Sequence, residues 1–265
     1  MHPALATAAR TAGLRRHHIA AARMRGEREI LARLAQRRPP RQSRILCYHG
    51  VGTPAWGVND LSPERFAAQL ELALVLGYRF VSLDEAIGRR PPKSLAVTFD
   101  DGLASVAKNA APILRKMGVP FTVFVVSEWA DGRHPFGDGV VMGWGDLQRL
   151  VDAGAAIGSH SLSHPNFSRI SLAEATRQLC ESRETIASRL GTIPRAFAIP
   201  FGRSSDWTPV AAELAVQAGY TVILAQSEDS RPPGTIPRTF VARSDNRRTF
   251  RAALEGAFDS WEEWS

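Results

Sequence analysis

Leu95-Ala96-Val97-Thr98-Phe99-Asp100-Asp101-Gly102 (LAVTFDDG) is a buried-strand run that empties into two adjacent carboxylates and a glycine. A strand with this unbroken apolar texture belongs in a parallel sheet covered by helices on both faces. The flanking sequence agrees. Upstream, Arg44–His49 (RILCYH) reads as a buried strand, and Ser62–Gly77 opens with Ser-Pro, keeps helical spacing and stops at glycine. Phe80–Leu83 reads as a short strand and Asp84–Ile87 as a helical turn. Downstream, helices are expected at Val106–Met117, Trp144–Ala153, Leu172–Leu190, Pro209–Ala218 and Phe250–Phe258. Strands are expected at Phe121–Val126, Ala156–Ser159, Phe197–Ile199 and Thr221–Leu224. About seven β–α repeats predict a parallel α/β architecture. Polar residues at several strand ends predict a barrel with its site at the strand C-termini.

Composition is that of a globular protein: 265 residues, 44% hydrophobic and 22% charged. No run of about 18 apolar residues occurs, which excludes a membrane-spanning helix of that kind. Two cysteines in unrelated segments, Cys47 and Cys180, exclude a disulfide scaffold and a cysteine-based zinc site; both are expected as buried thiols. The net charge of +7 is local. Residues 1–44 hold eleven arginines against Glu27 and Glu29, while the rest of the chain is slightly acidic. Basicity therefore gives no reason to expect nucleic acid on the folded domain.

The sequence divides into a basic, Ala/Arg-rich, helical N-terminal extension (residues 1–42) and a domain over residues 43–265. Leu14, Ile19, Met24, Ile30, Leu31 and Leu34 make only a weak apolar stripe, and Pro39-Pro40 ends it. The extension is expected to be a solvated helix, dispensable for folding, with peripheral contact to an anionic membrane as the sharper alternative. Without an apolar core or a small-residue cleavage site it does not read as a secretory signal, so a cytoplasmic, at most membrane-peripheral, location is expected.

Two clusters carry chemistry. Asp100 and Asp101 leave a strand end together and diverge, so one can meet a metal while the other faces a substrate. An Asp cap beside a Gly turn is the plain alternative. Gly158-Ser159-His160-Ser161-Leu162-Ser163-His164 follows another short strand, and histidines at i and i+4 face one way if the segment is helical. Three of the seven histidines lie in the extension, so two of the other four at ligand spacing favour a metal site with open positions.

Thr98-Phe99-Asp100-Asp101-Gly102 with His160-Ser161-x-x-His164 resembles the polysaccharide deacetylases of carbohydrate esterase family four, the nodulation-type chitooligosaccharide deacetylases among them. The resemblance implies a distorted, incomplete (β/α) barrel of about seven parallel strands. It also implies Asp100 as general base and Asp101, His160 and His164 as ligands of one divalent ion, zinc in most members and cobalt or nickel in some. The implied activity is removal of N-acetyl groups from an acetylated amino-sugar polymer or oligomer, releasing acetate.

Phe197-Ala198-Ile199-Pro200-Phe201-Gly202 stands where the family has Arg-x-Pro-Tyr-Gly; Pro200 keeps the turn and the Phe201 N–H takes the oxyanion-donor role. The arginine is replaced by Ala198, and no histidine follows His164. Ile45-Leu46-Cys47-Tyr48-His49 and Ile236-Pro237-Arg238 resemble the poly-β-1,6-N-acetylglucosamine deacetylase branch. On that resemblance Arg238 is expected to supply the missing cation, with a surface arginine after a proline turn as the plain alternative. His49, at a strand end and able to carry a proton near neutral pH, is expected as the general acid. Hydrolysis of a non-sugar amide and a silent carbohydrate-binding homologue are the alternatives. Trp56 and Trp207 are expected to line the sugar groove, ahead of Trp129, Phe136 and Trp144, and His134 is expected in an exposed loop.

Overall fold

The computed structural model describes residues 16–34, 43–226 and 234–259. In chain order the strands are β1 (Arg44–Tyr48), β2 (Gly50–Val51), β3 (Asp60–Leu61), β4 (Arg79–Phe80), β5 (Ser94–Phe99), β6 (Phe121–Val125), β7 (Ala156–Ser159), β8 (Ala196–Ala198), β9 (Val222–Leu224) and β10 (Thr239–Phe240). The helices are α1 (Arg16–Leu34), α2 (Pro63–Val75), α3 (Leu83–Gly88), α4 (Ala111–Lys116), α5 (Ser127–Ala130), α6 (Trp144–Asp152), α7 (Leu172–Leu190), α8 (Pro209–Gln217) and α9 (Arg247–Leu254).

Seven strands form a parallel, curled sheet in the order β10-β1-β5-β6-β7-β8-β9, with β4 added against the start of β5. A lone parallel bridge, Leu224 to Ile236, ties the β9 edge to the segment that leads into β10. The result is the distorted, incomplete (β/α) barrel that the family resemblance implied, built from the parallel α/β repeats that the alternating pattern predicted. The helix starts follow local chemistry. Ser62, Ser82, Ser171 and Thr208 each accept a first-turn N–H, and proline follows Ser62 and Thr208 directly. The last helix begins at Arg247 rather than at the expected Phe250 because Asn246 caps it. The expected helix from Val106 starts as a π turn, Val106–Ala110, before α4. Phe80–Leu83 is not one strand; Ser82 caps α3 there.

Strand parity positions the site. Leu46 and Tyr48, Val97 and Phe99, and Val123 and Val125 join the large cluster that also contains residues of α2, α4 and α6. Alternate residues Ile45, Ala96, Phe124, Ala198 and Leu224 form a separate cluster on the opposite face. Continuing the second parity past the strand ends gives His49, Asp100 and His160. The strand ladders reach those positions, since Asp100 N–H donates to Tyr48 C=O at 2.9 Å and His160 N–H to Val125 C=O at 2.8 Å. Gly158 is required on β7: a Cβ there would lie 2.3 Å from the Phe124 ring.

The N-terminal extension departs from expectation. Its described part, α1, is helical but docked rather than solvated. Met24, Arg28 and Ala32, one helical turn apart, are buried. Ala32 packs on Ala252, Ala253, Ala257 and Phe258, and Met24 on Phe240 and Ala242. Arg28 forms an ion pair with Asp245 in which both side chains are 1% exposed. A stripe centred on a buried charge has no hydrophobic periodicity, so the pattern read as solvated. Ile30 and Leu34, counted in the apolar stripe, face solvent. Leu14 and the Pro39-Pro40 terminator lie outside the described residues. No helix among the described residues is long and apolar enough to cross a membrane.

Candidate active site

At the C-terminal ends of β1, β5, β7 and β8 lies a pocket of about 580 Å³ lined by His49, Asp100, Asp101, His160, His164 and Arg238 together with aromatic side chains. Asp101 Oδ1 is 3.6 Å from His160 Nε2 and 3.6 Å from His164 Nε2. Two nitrogen or oxygen ligands at about 2.0–2.1 Å in a tetrahedron stand about 3.3 Å apart, so the three groups fit one divalent ion with small adjustments. His160 Nδ1–H donates to Ala198 C=O at 2.8 Å. That contact fixes the tautomer and turns a bare Nε2 toward Asp101. Burial pushes both imidazoles down, His160 to about 4 and His164 to about 4, so at neutral pH both carry the lone pair a metal needs.

The two histidines converge without a helix. Residues 160–164 form a turn, with Ser161 at φ 70° and His164 at φ 62°. Gln178 of α7 accepts the N–H groups of Leu162 and Ser163, and Ser161 Oγ accepts that of His164. Asp101 (φ 70°) and Phe201 (φ 65°) are left-handed as well. Among the described residues, four of the six non-glycine residues with positive φ therefore belong to this site. Such conformations cost about 1–3 kcal/mol each and persist where packing imposes them.

Asp100 lies beside this set, its Oδ2 3.9 Å from His160 Nε2, and its carboxylate has partners of its own. Arg238 grips it bidentately, with Nη1 and Nη2 at 2.6 and 2.7 Å from the two oxygens, and the Cys47 thiol donates to Oδ2 at 3.4 Å. Burial alone would raise this carboxyl, but Arg238, aided by His160, overrides it and holds Asp100 well below the usual carboxylate range. Burial in turn pushes the Cys47 thiol well up, so it remains protonated. Arg238, expected among the substrate-contacting residues, is 3% exposed and acts on Asp100. Arg238 reaches Asp100 from the approach to β10, while Ala198 on β8 offers no cation there.

His49 lines the pocket, its ring edge-on to Phe240 at 5.9 Å. Its Nδ1 is buried without a hydrogen-bond partner among the described residues. Phe201 packs its half-exposed ring over His164 at 4.7 Å. Pro200 is buried and turns the chain behind the rim without lining the pocket. Trp56 lines the pocket and donates Nε1–H to Asp101 Oδ2 at 3.1 Å. Trp207 does not line it; the ring is buried among Phe167, Phe197 and Ala215, because α8 closes over it. Trp129 and Phe136 take that place, Trp129 stacked on His164 at 5.3 Å. Trp144 donates to Asp131 outside the pocket, and His134 is half-buried against Phe136 rather than exposed. Cys180 is half-buried rather than buried. Cys47, Gln178 and the Ala198 carbonyl carried no sequence signal for their roles.

A family model for polysaccharide deacetylases matches residues 87–223. A peptidoglycan-N-acetylglucosamine deacetylase of Listeria monocytogenes is 28% identical over 123 residues, 46% of this chain and 24% of its own length. A poly-β-1,6-N-acetyl-D-glucosamine N-deacetylase of Staphylococcus aureus is 24% identical over 178 residues, 62% of this chain and 61% of its own. The chain thus spans between a quarter and three-fifths of these curated relatives. Among solved structures, IcaB from Ammonifex degensii superposes with a TM-score of 0.66 at 25% identity, covering 80% of this chain and 97% of that one.

Proposed function

The chain belongs to the polysaccharide deacetylase family, and from that premise we propose that it is a metal-dependent N-deacetylase of N-acetylglucosamine polymers or oligomers. The observation that carries the reading is the pairing of two sets at one rim: the Asp101–His160–His164 ligand triangle, and the Asp100–Arg238 ion pair beside it. The two curated relatives act, by their names, on N-acetylglucosamine-containing polymers. The open pocket rimmed by Trp56, Trp129, Phe136 and Phe201 suits a pyranose chain better than a small amide, since aromatic faces stack on sugar rings.

Asp101, His160 and His164 would hold the ion. A divalent cation there supplies Lewis acidity to the amide carbonyl. Asp100 stays ionised under Arg238 and accepts the proton of the attacking water. The Phe201 N–H, which has no partner among the described residues, faces the developing oxyanion. His49 donates a proton to the departing amine nitrogen, so that the C–N bond breaks to give acetate and a free amino sugar. Arg238 fixes the direction and charge of Asp100.

The test is acetate release from β-1,6- and β-1,4-linked N-acetylglucosamine oligomers by chelated protein with and without added zinc, cobalt or nickel. Metal-restored release from either oligomer supports the reading. Release that is unaffected by chelation, or metal-replete protein that binds the oligomers without releasing acetate, overturns it.

A further inference from the structure

We propose that Arg28 and Met24 of the N-terminal helix are positioning residues for His49, acting through Phe240. This rests on reading His49 as the proton donor. The argument begins with an edge. β10 has two residues, Thr239 and Phe240, and among the described residues pairs only with β1, through Leu46 and Cys47. So short an edge strand frays unless something covers it. Yet its surroundings carry both partners of the chemistry. Arg238, one residue before the strand, grips Asp100. Phe240, two residues further and hence on the same strand face, sets its ring edge against His49.

Helix α1 supplies the cover. Arg28 Nη2–H donates to the Phe240 carbonyl at 3.2 Å, while Nε–H and Nη2–H hold Asp245 at 2.8 and 2.6 Å. The guanidinium lies 4.0 Å from the Phe258 ring centroid, so one planar group ties β10, the turn after it and the C-terminal end of the described fold. Met24 packs on the Phe240 side chain itself. The clamp extends to the other side of His49. The Asp245 carbonyl accepts from Gln69 Nε2, and Gln69 Oε1 accepts the hydroxyl of Tyr48, the residue before His49. His49 therefore stands between two supports that both lead to Asp245, and Asp245 is held by Arg28. The metal ligands share none of these contacts; they hang on β5, β7 and α7.

Met24→Ala and Arg28→Lys test this. Met24→Ala removes packing on the Phe240 ring and leaves the ion pair. Arg28→Lys keeps a charge for Asp245 but loses the fork that also reaches Phe240. In folded, zinc-replete protein each should lower kcat about ten- to a hundredfold, the scale of a sub-ångström to ångström misplacement, with KM and zinc stoichiometry unchanged. In the His49→Ala background neither substitution should lower kcat further, whereas a general loss of fold would add to it. Histidine-selective NMR of the same proteins gives a readout without turnover. The His49 ring signals, assigned by their loss in His49→Ala, should shift on Met24→Ala while those of His160 and His164 stay in place. If Arg28→Lys does not fold, Met24→Ala decides alone. Unmoved His49 signals, or undiminished kcat in either folded variant, overturns the inference. A His49→Ala protein with full turnover instead overturns the reading of His49 as the acid, and the NMR arm then still decides whether the helix positions the ring.

Discussion

Asp101, His160 and His164 stand at the ends of β5 and β7, in the middle of the sheet, whereas Arg238, Phe240 and His49 stand at its β10–β1 edge. On the central side each ligand is delivered by a strand buried on both faces, and its turn is set by bonds to neighbouring backbone and to α7. On the edge side a two-residue strand carries the load, and a helix more than two hundred residues away in sequence covers it. The difference teaches that one rim has two kinds of rigidity. The Asp101–His160–His164 side is stiff because of local ladders, and the Arg238–Phe240–His49 side because of a few long-range buried contacts.

The strongest break of this comparison is at the ligands. Asp101→Ala, His160→Ala and His164→Ala should each lose bound zinc, measured by mass spectrometry of the native protein, and with it all deacetylation. Asp100→Asn should keep zinc and lose about two to four orders of magnitude in turnover. Zinc loss in Asp100→Asn would merge the two sides into one ligand set.

Next comes Arg238→Met, which acts on the edge side alone. Asp100's carboxyl is depressed in the folded protein, so its ionisation contributes stability above the ordinary carboxylate range of about 3.9, lost as pH falls through the depressed value. Removing the guanidinium leaves burial, the largest influence, opposed only by His160 and His49, and reverses the sign. The carboxyl then moves up, the acid limb of the kcat/KM profile moves to higher pH, and the protein gains stability relative to neutral pH as the solution is acidified. At pH 7 the unpaired buried carboxylate costs about 3–5 kcal/mol. Urea titrations at several pH values check the sign, and zinc stoichiometry should stay at its wild-type value.

Arg28→Met should destabilise on a similar scale, about 3–5 kcal/mol or roughly 10 °C in Tm, by leaving Asp245 buried without its partner. Adding Asp245→Asn should recover part of this, because a neutral amide oxygen still accepts the Ala242 N–H that Asp245 now accepts. Calorimetry of the single and double variants measures it. A chain lacking residues 1–34 with unchanged Tm would restore the solvated extension that the sequence suggested.

The same division explains what was legible. Asp100-Asp101-Gly102 and His160 to His164 are short and contiguous, and the strands before them are largely apolar runs, so the order of elements and the meeting of Asp101, His160 and His164 at one rim follow from the chain itself. Even there the helical spacing of the two histidines was the wrong geometry, since left-handed residues at Ser161 and His164 make the turn. The edge side was visible only in part. Pro237-Arg238 marks Arg238 in the sequence, but its direct grip on Asp100 depends on β10 returning beside β1, which no local pattern encodes. Arg28 was invisible, because a buried arginine in a run of arginines looks like every solvated one. Trp207 failed for the opposite reason: its neighbourhood reads as a loop, and only the packing of α8 makes it core.

The smallest expected effect concerns those aromatics, and it separates the groove from the core beneath it. Trp207 is 4% exposed and packs against Phe167 and Phe197 at centroid distances of 4.9 and 5.6 Å, so Trp207→Phe should cost about 1–3 kcal/mol through lost volume. It should leave KM for an N-acetylglucosamine oligomer unchanged. Trp129 stacks on His164 and lines the pocket, so Trp129→Ala should raise KM severalfold, as loss of an aromatic contact of about 0.5–1.5 kcal/mol would. Its zinc stoichiometry should hold, since His164 keeps its Ser161 contact. Steady-state kinetics on both variants decides between them. A KM that responds to Trp207 and not to Trp129 would place the sugar on the α8 side of the rim, away from Trp56 and Phe136, and would move the substrate to the half of the barrel that carries neither the ligands nor the clamp.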